Sequence, residues 1–331
     1  MFFQTIAQDL RIGLRVLVKE KGFCALAVTV LALGICGVTT MFSVVNGVML
    51  RGFSYPNAER LVSAGFVDPT QGNNNNGNNG ASFTAQGLRF DGFSETGVAE
   101  AGITTWRQPM IDHFSVFVSD CDFVNFDSGR NSAFTMRKST YADTVSFVNC
   151  LFENISGNAL NLQAETDDTG RYNAEEVIIR NCLFRNVMGA ALDLYRGSND
   201  ESTTGPRLRI DHCSFINVNN VELGSVLRLT GVQDGDVRNS LFVDSGQSGR
   251  AIKMEDQRWC RMLVSHCNLT NSGRIESFYS DRSGLEITRL TVDFADPENG
   301  DFNLAVGSPL AGKASDGGNL GARWVNGVLR E

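Results

Sequence analysis

The sequence predicts an all-β protein, a right-handed parallel β-helix preceded by an N-terminal amphipathic helix and one transmembrane helix. Three observations lead to this fold class. A six-residue pattern built around cysteine and phenylalanine recurs six times, at spacings of 27 to 32 residues. Short runs of alternating apolar and polar residues precede its copies. Near the N-terminus, residues 22–50 form a run of 29 residues without Asp, Glu, Lys or Arg.

The N-terminal segment has the pattern of a membrane anchor. Its uncharged run exceeds the roughly 20 residues that a helix needs to cross a bilayer. The residues just before the run are basic, which places the N-terminus in the cytoplasm by the positive-inside rule: Arg11, Arg15, Lys19 and Lys21. Leucines at helical spacing between these residues predict an amphipathic helix on the inner membrane surface. A cleaved secretory signal and a buried soluble helix are the alternatives.

Charge and composition divide the chain further. Residues 1–60 carry a net charge of +3 and the remainder −11, in a chain of 331 residues with net charge −8. This acidic body argues against a nucleic-acid partner, because phosphate binding needs clustered Lys and Arg. Residues 71–80 are Asn- and Gly-rich, a composition typical of a flexible linker. The predicted parts are an anchor over 1–66, a linker over 67–82 and a β-helix over 83–331.

The six copies of the repeat predict the β-helix. They begin at Asp120, Asn149, Asn181, His212, Asn239 and His266, and each has Cys or Ser second and Phe or Leu fourth. Period-two alternation indicates strands, and about 30 residues per repeat without a helical pattern is typical of one β-helix coil. Coils of this kind stack at about the strand spacing of 4.8 Å. We therefore expect internal ladders of cysteines and phenylalanines, and an asparagine ladder at a turn.

This register also assigns the cysteines. Five of the eight share one repeat position: Cys121, Cys150, Cys182, Cys213 and Cys267. Cys24 and Cys36 fall in the uncharged run, and Cys260 lies outside the pattern. No pair has the Cys-x-x-Cys spacing of a zinc site. We expect buried thiols in the ladder rather than disulfides or metal ligands.

A further sheet, about ten residues later in each coil, supplies the candidate site. Because strand side chains alternate, two columns should point outward. The first column is Thr135, Asn161, Asp193, Arg228 and Lys253, and the second is Arg137, Gln163, Tyr195, Thr230 and Glu255. Such a polar face suits an extended acidic polymer, although a plain solvated sheet has the same pattern. The carbohydrate-binding candidates are Arg137, Asn161, Gln163, Asp193, Tyr195, Arg228, Lys253 and Glu255.

The body also resembles a known family. Residues 140–143, 164–168, 170–175, 194–206, 273–279 and 317–322 are similar to segments of polysaccharide lyase family 6, the alginate lyases and chondroitinase B, of the C-terminal β-helix type. The resemblance implies an acidic polysaccharide as partner and makes calcium a possible cofactor, although the sequence itself indicates none. The family's Arg-His-Gly motif is missing, and Lys138-Ser139 lacks the preceding acidic pair. No catalytic residue is therefore assigned.

A second resemblance concerns the N-terminus. Residues 9–17, 22–23, 31–34, 41–46, 50–51 and 55–56 resemble the start of a MacB-like (FtsX-type) permease subunit. It implies a transporter ATPase as a possible partner. The main hypothesis is an inner-membrane, single-pass protein whose β-helix binds uronate polymer in the periplasm or outside the cell, as an accessory or catalytically incomplete domain. An active lyase, in which Arg137 or Arg228 neutralises the sugar carboxylate and Lys253 or Tyr195 is the base, and a component of a MacB-like permease are the alternatives.

Overall fold

A computed structural model describes residues 21–22, 26, 29–32, 34–35, 65–67, 82–94, 97–98, 101–105, 114–137, 140–163, 172–196, 205–255, 261–276, 283–325 and 328–329. The chain divides into two compact units, Met1–Glu59 and Arg60–Glu331. In the first unit the described residues are α-helical. Among the residues that the structure describes, no helix has both the length and the apolar character required to cross a membrane. The predicted amphipathic helix and the Asn-rich linker lie outside the described residues.

The second unit consists almost entirely of strands. In chain order they are β1 (Gly65–Val67), β2 (Ser82–Gln86), β3 (Arg89–Asp91), β4 (Phe93–Ser94), β5 (Gly97–Val98), β6 (Ala101–Thr105), β7 (Ser115–Ser119), β8 (Asp122–Phe126), β9 (Ser132–Met136), β10 (Ala142–Val148), β11 (Leu151–Ile155), β12 (Leu160–Leu162), β13 (Ala174–Arg180), β14 (Leu183–Val187), β15 (Leu192–Tyr195), β16 (Arg207–Asp211), β17 (Ser214–Val218), β18 (Ser225–Thr230), β19 (Asp234–Arg238), β20 (Leu241–Val243), β21 (Arg250–Glu255), β22 (Arg261–Thr270), β23 (Arg274–Glu276), β24 (Ser283–Thr288), β25 (Phe294–Asp296), β26 (Asp301–Leu304), β27 (Trp324–Val325) and β28 (Val328–Leu329). A short 3₁₀ helix, Pro297–Asn299, separates β25 from β26.

These strands form the predicted parallel β-helix. Every third strand pairs in parallel with its counterpart in the next coil, which gives a first sheet containing β7, β10, β13, β16 and β19, a second containing β8, β11, β14, β17 and β20, and a third containing β9, β12, β15, β18 and β21. Five regular coils thus run from β7 to β21. The ten-residue β22 belongs to both the first and the second sheet and joins them.

The interior is filled by the predicted ladders. Five rings form an aromatic stack, and Phe90 extends it by one coil beyond the repeats seen in the sequence. Successive ring centroids along Phe90, Phe123, Phe152, Phe184, Phe215 and Phe242 are 4.6 to 5.1 Å apart. The five ladder cysteines are fully buried free thiols, as expected. The thiol of Cys182 donates to the carbonyl of Arg180, and Ser240 makes the equivalent bond to Arg238.

Two polar ladders form the corners on either side of the second sheet. One contains the residue before the ladder Cys or Ser of each copy, and the other contains the residue two positions after the ladder Phe or Leu. All have left-handed φ angles between 44° and 62°: Asp120, Asn149, Asn181, His212, Asn239 and His266, and Asn125, Asn154, Asn186, Asn217, Asp244 and Asn271. Asn and Asp tolerate this backbone region better than other L-residues. The side chains also bond from coil to coil, as between Asn181 Nδ2 and Asn149 Oδ1 at 2.8 Å.

The C-terminal residues form a cover that the sequence analysis did not anticipate. We call residues 289–325 and 328–329 the strap. Leu304, Leu310 and Leu320 of the strap pack against Leu241 and Val243. The side chains of these two residues point outward from the second sheet. A second cluster joins strap residues such as Phe302 to Leu183. The strap therefore buries the outer face of the second sheet.

Candidate functional site

The predicted polar face is the outer surface of the third sheet, which we call the third-sheet face. Its strands pair in the expected register, so that Asn161, Asp193, Arg228 and Lys253 stand side by side in successive coils. Thr104 and Thr135 continue this column on one side and Glu276 on the other. The first predicted column is thus a continuous row of polar side chains.

The second column is shorter than expected. Tyr195, Thr230 and Glu255 are register partners. Arg137 and Gln163 instead follow the last residues of β9 and β12, because the chain leaves the sheet there. The amide of Arg137 donates to the side-chain hydroxyl of Thr105 at 3.1 Å rather than to a neighbouring main chain. Arg137 and Gln163 therefore lie at the border of the third-sheet face.

Exposure along this face is uneven. Arg228 and Arg137 are exposed, while Asn161, Gln163, Tyr195, Lys253 and Glu255 are half-buried. Asp193 and Thr230 face outward but keep only 2% and 4% of their surface accessible. The alternating pattern predicted the outward direction of these two residues but carried no information on their burial. For Asp193 the physical reason is visible, since neighbouring polar side chains hold its carboxylate.

Asp193 has the most perturbed environment on the face. Its Oδ2 accepts hydrogen bonds from Nδ2 of Asn158 at 3.2 Å and from Nη1 of Arg228 at 3.4 Å. Its Oδ1 is buried and has no hydrogen-bond partner. Burial raises the pKa of Asp193 to about 6, against the lowering effects of Arg228 and Asn158. This carboxyl can thus gain or lose a proton near neutral pH.

Several cations of the face are paired with carboxylates. Nζ of Lys253 lies 2.6 Å from Oε1 of Glu255. Glu276, at the end of the column, is ion-paired with Arg250 and lies 3.5 Å from Arg274. The amine of Lys253 is therefore already held by a neighbouring carboxylate. A polyanion must therefore compete with internal carboxylates for each of these cations.

Sequence reasoning missed a cavity of about 390 Å³ between the strap and the second sheet. Glu153 and Arg185, which form an ion pair, lie on its sheet side. Phe302, beneath the guanidinium of Arg185 at 5.0 Å, and Trp324 line the strap side. One signal was present in the sequence. The residue between the ladder cysteine and phenylalanine is leucine in several copies, and an outward leucine needs a cover.

Among the residues that the structure describes, no group of three or more His, Cys, Asp or Glu side chains is arranged to hold a metal ion. The five ladder thiols point into the core, where they contact main-chain carbonyls.

Comparisons with known proteins bear on the fold. No family model matches the chain, and no curated protein matches it. A solved structure of the PL6 family alginate lyase AlyGC is similar to this chain, with a TM-score of 0.50 and 22% identity over 65% of this chain. A mutant of that enzyme gives a TM-score of 0.49 and 21% identity over 63%. In both cases the match covers 30% of the lyase chain.

This likeness supports the predicted lyase-like β-helix as a fold. The matching region is under a third of the enzyme's length, so the enzyme's activity does not follow from it. None of these findings supports the resemblance of residues 5–66 to a permease subunit, or a transporter ATPase as partner.

Proposed function

We propose that this protein binds an acidic polysaccharide of the alginate class along the third-sheet face. The observation that carries the proposal is the continuous polar column from Thr135 to Lys253 in register. Four coil steps at about 4.8 Å give it a length of roughly 19 Å, enough for several sugar units. The likeness to a PL6 alginate lyase supports the choice of polymer.

Binding without cleavage is the form of the proposal that the side chains favour. Elimination from a uronate needs a carboxylate neutraliser, a base and a proton donor close together. Arg228 forms an ion pair with Asp193, and Lys253 forms one with Glu255, so neither cation is free to act on a substrate alone. The family's Arg-His-Gly motif is absent from the sequence. We therefore infer an accessory or catalytically incomplete domain.

The test compares binding with cleavage. The full-length protein is incubated with alginate, with and without calcium, while the ultraviolet absorbance of unsaturated uronate product is followed. Binding is measured in parallel by affinity electrophoresis at two salt concentrations. We expect salt-sensitive binding and no absorbance rise, because exposed charge pairs are screened by salt. A sustained rise that Lys253→Ala or Tyr195→Phe abolishes would establish an active lyase instead.

We also propose that residues 22–50 anchor the protein in the inner membrane with the β-helix in the periplasm or outside the cell. The support is the uncharged run and the basic residues before it. Carbonate extraction of membranes and protease accessibility of the β-helix in spheroplasts test this proposal. Recovery of the full-length protein in the soluble fraction would contradict it.

A further inference from the structure

Asp193 occupies the centre of the polar column with too few hydrogen-bond donors. Two donors reach Oδ2, and none reaches Oδ1. Its register neighbour Asn161 also has a buried Oδ1 without a partner. A buried acceptor without a donor is costly, and here two such oxygens belong to neighbouring strands. A protonated Asp193 carboxyl would carry a donor of its own beside these acceptors.

The charged groups around Asp193 come from one side of its strand. On the other side the neighbours are the neutral Asn161 of β12 and Asn158, which precedes that strand. From β18 comes Arg228, and from β21 come Lys253 and Glu255, which pair with each other. Arg228 keeps 44% of its side chain exposed while Asp193 keeps 4%. The guanidinium is thus held at its inner side by a buried carboxylate and faces solvent at its outer side.

We propose that Asp193 is a proton-controlled gate for polyanion binding on the third-sheet face. When ionised, Asp193 holds and neutralises Arg228. When protonated, it leaves the guanidinium of Arg228 available to a carboxylate or sulfate of the polymer. The proposal rests on the proposed function and adds its regulation: binding strengthens as the pH falls.

The titration range fits this role. The pKa of Asp193, raised to about 6 by burial, lies between acidic and neutral conditions. The carboxyl groups of a uronate polymer are exposed to solvent and, like ordinary carboxyls with pKa values of about 4, stay ionised over the same range. One exposed charge contributes about a fivefold change in affinity. We therefore expect about fivefold tighter binding at pH 5 than at pH 7.5.

The experiment measures dissociation constants of the full-length protein at about pH 5 and about pH 7.5, at one ionic strength. The probes are alginate oligomers of defined length and dextran sulfate, whose charge is constant over this range. In Asp193→Asn, the neutral isostere, we expect the affinity at both pH values to equal that of the unmodified protein at pH 5. Arg228→Gln should bind weakly at both pH values and lose the pH dependence.

A matched control is available on the first sheet. Burial also raises the pKa of Asp236, and its Oδ1 likewise has no hydrogen-bond partner. Because Asp236 lies on β19, away from the third-sheet face, Asp236→Asn should keep the pH dependence of the unmodified protein. Circular dichroism of each variant checks that the fold is retained.

The outcomes separate the gate from the proposed function. Binding whose pH dependence persists in Asp193→Asn, or is absent from the unmodified protein, overturns the gate and leaves the binding function intact. Loss of the pH dependence in Asp236→Asn also overturns it, because the titrating group would then lie elsewhere. If neither the unmodified protein nor Asp193→Asn binds either polymer at either pH, the proposed function fails and the gate fails with it.

Discussion

The second and third sheets are built from the same coils, but their outer surfaces differ in chemical character. The outer surface of the second sheet is largely apolar and covered, and that of the third sheet is polar. Leu183 and Leu241 point outward from the second sheet and are buried by the strap. Asp193 and Arg228 point outward from the third sheet, and neither of the strap's hydrophobic clusters includes a third-sheet residue. In a β-helix the interior is shared by all faces. The outward residues therefore decide which face is closed by the chain itself and which remains available to a ligand.

Two carboxyl groups, Asp211 on β16 of the first sheet and Asp193 on β15 of the third, show a related contrast at atomic scale. Asp211, at the corner beside the strap, accepts hydrogen bonds from His212, Asn239 and Arg238. Burial tends to raise its pKa, but these donors together lower it to about 2. Asp193 has fewer donors, and burial prevails there. Asp193 is also the more deeply buried of the two, with 4% of its side chain accessible against 21% for Asp211. The difference teaches that burial and the number of donors together set the charge of an outward carboxyl in this fold.

The largest effect should come from the core that both faces share. Phe184 is fully buried, between Phe152 and Phe215 in the stack. Phe184→Ala should lower the free energy of unfolding by about 3–5 kcal/mol, because it leaves a cavity. Urea unfolding measures this loss. The control is Phe117→Ala, at a position 42% exposed, which should cost within about 1 kcal/mol. Equal losses in the two variants would contradict the stacked register.

The next effect separates the closed face from the open one. Leu310 is fully buried between the strap and the second sheet. Leu310→Ala should cost about 2–5 kcal/mol and make the strap more sensitive to proteolysis. Val306→Ala, at a fully exposed strap position, should change stability by less than about 0.5 kcal/mol. If Leu310→Ala is equally mild, the strap does not stabilise the second sheet.

The two carboxyls should shift stability in opposite directions. The low pKa of Asp211 stabilises the fold above about pH 4, and that contribution is lost as the pH falls toward 2. The raised pKa of Asp193 has the opposite sign, so stability declines as the pH rises from about 4 to 6. At pH 7.5, Asp211→Asn should lose about 2 kcal/mol and Asp193→Asn should gain about 2 kcal/mol. Thermal and urea unfolding at pH 4 and 7.5 measure both, and shifts of the same sign would contradict the contrast.

The smallest effect concerns the cysteine ladder. Cys182→Ser should cost about 1 kcal/mol or less, because Ser240 already occupies the equivalent position and bonds the same kind of carbonyl. Thiol labelling of the native protein should miss Cys150, Cys182 and Cys213, which are fully buried. Rapid labelling of these thiols in the folded protein would contradict this prediction, because it would show that the interior is accessible to the reagent.

Much of the β-helix could be predicted because its repeat constrains both spacing and side-chain direction. Cys182 and Phe184 recur with a strand period, so their inward orientation and stacking followed from the sequence. The columns through Asn161 and Arg228 followed from the same alternation. Local sequence thus carried the information wherever each coil repeats its neighbours.

The strap and the burial of Asp193 depend on contacts distant in sequence. The amide of Ala322 donates to the hydroxyl of Ser214, which is 108 residues away in the sequence. No repeat pattern in the sequence predicts that contact. The strap was nevertheless foreshadowed by Leu151 and Leu183, whose outward direction required a cover. The state of Asp193 depends on Asn158 and Arg228, each 35 residues away. Their side-chain conformations are not encoded in an alternating pattern.

The strap also constrains the number of coils that the β-helix can have. Its amides bond Asn239, Ser214 and Asn181 in turn, so it spans a fixed stack of repeats. An additional coil inserted between Asn181 and Asn239 would move these acceptors away from the strap amides that donate to them. A duplication of residues 121–149 would instead lengthen the third-sheet face by about 4.8 Å outside those contacts. The strap contacts thus fix the number of coils between Asn181 and Asn239, whereas a coil added on the N-terminal side leaves these contacts intact.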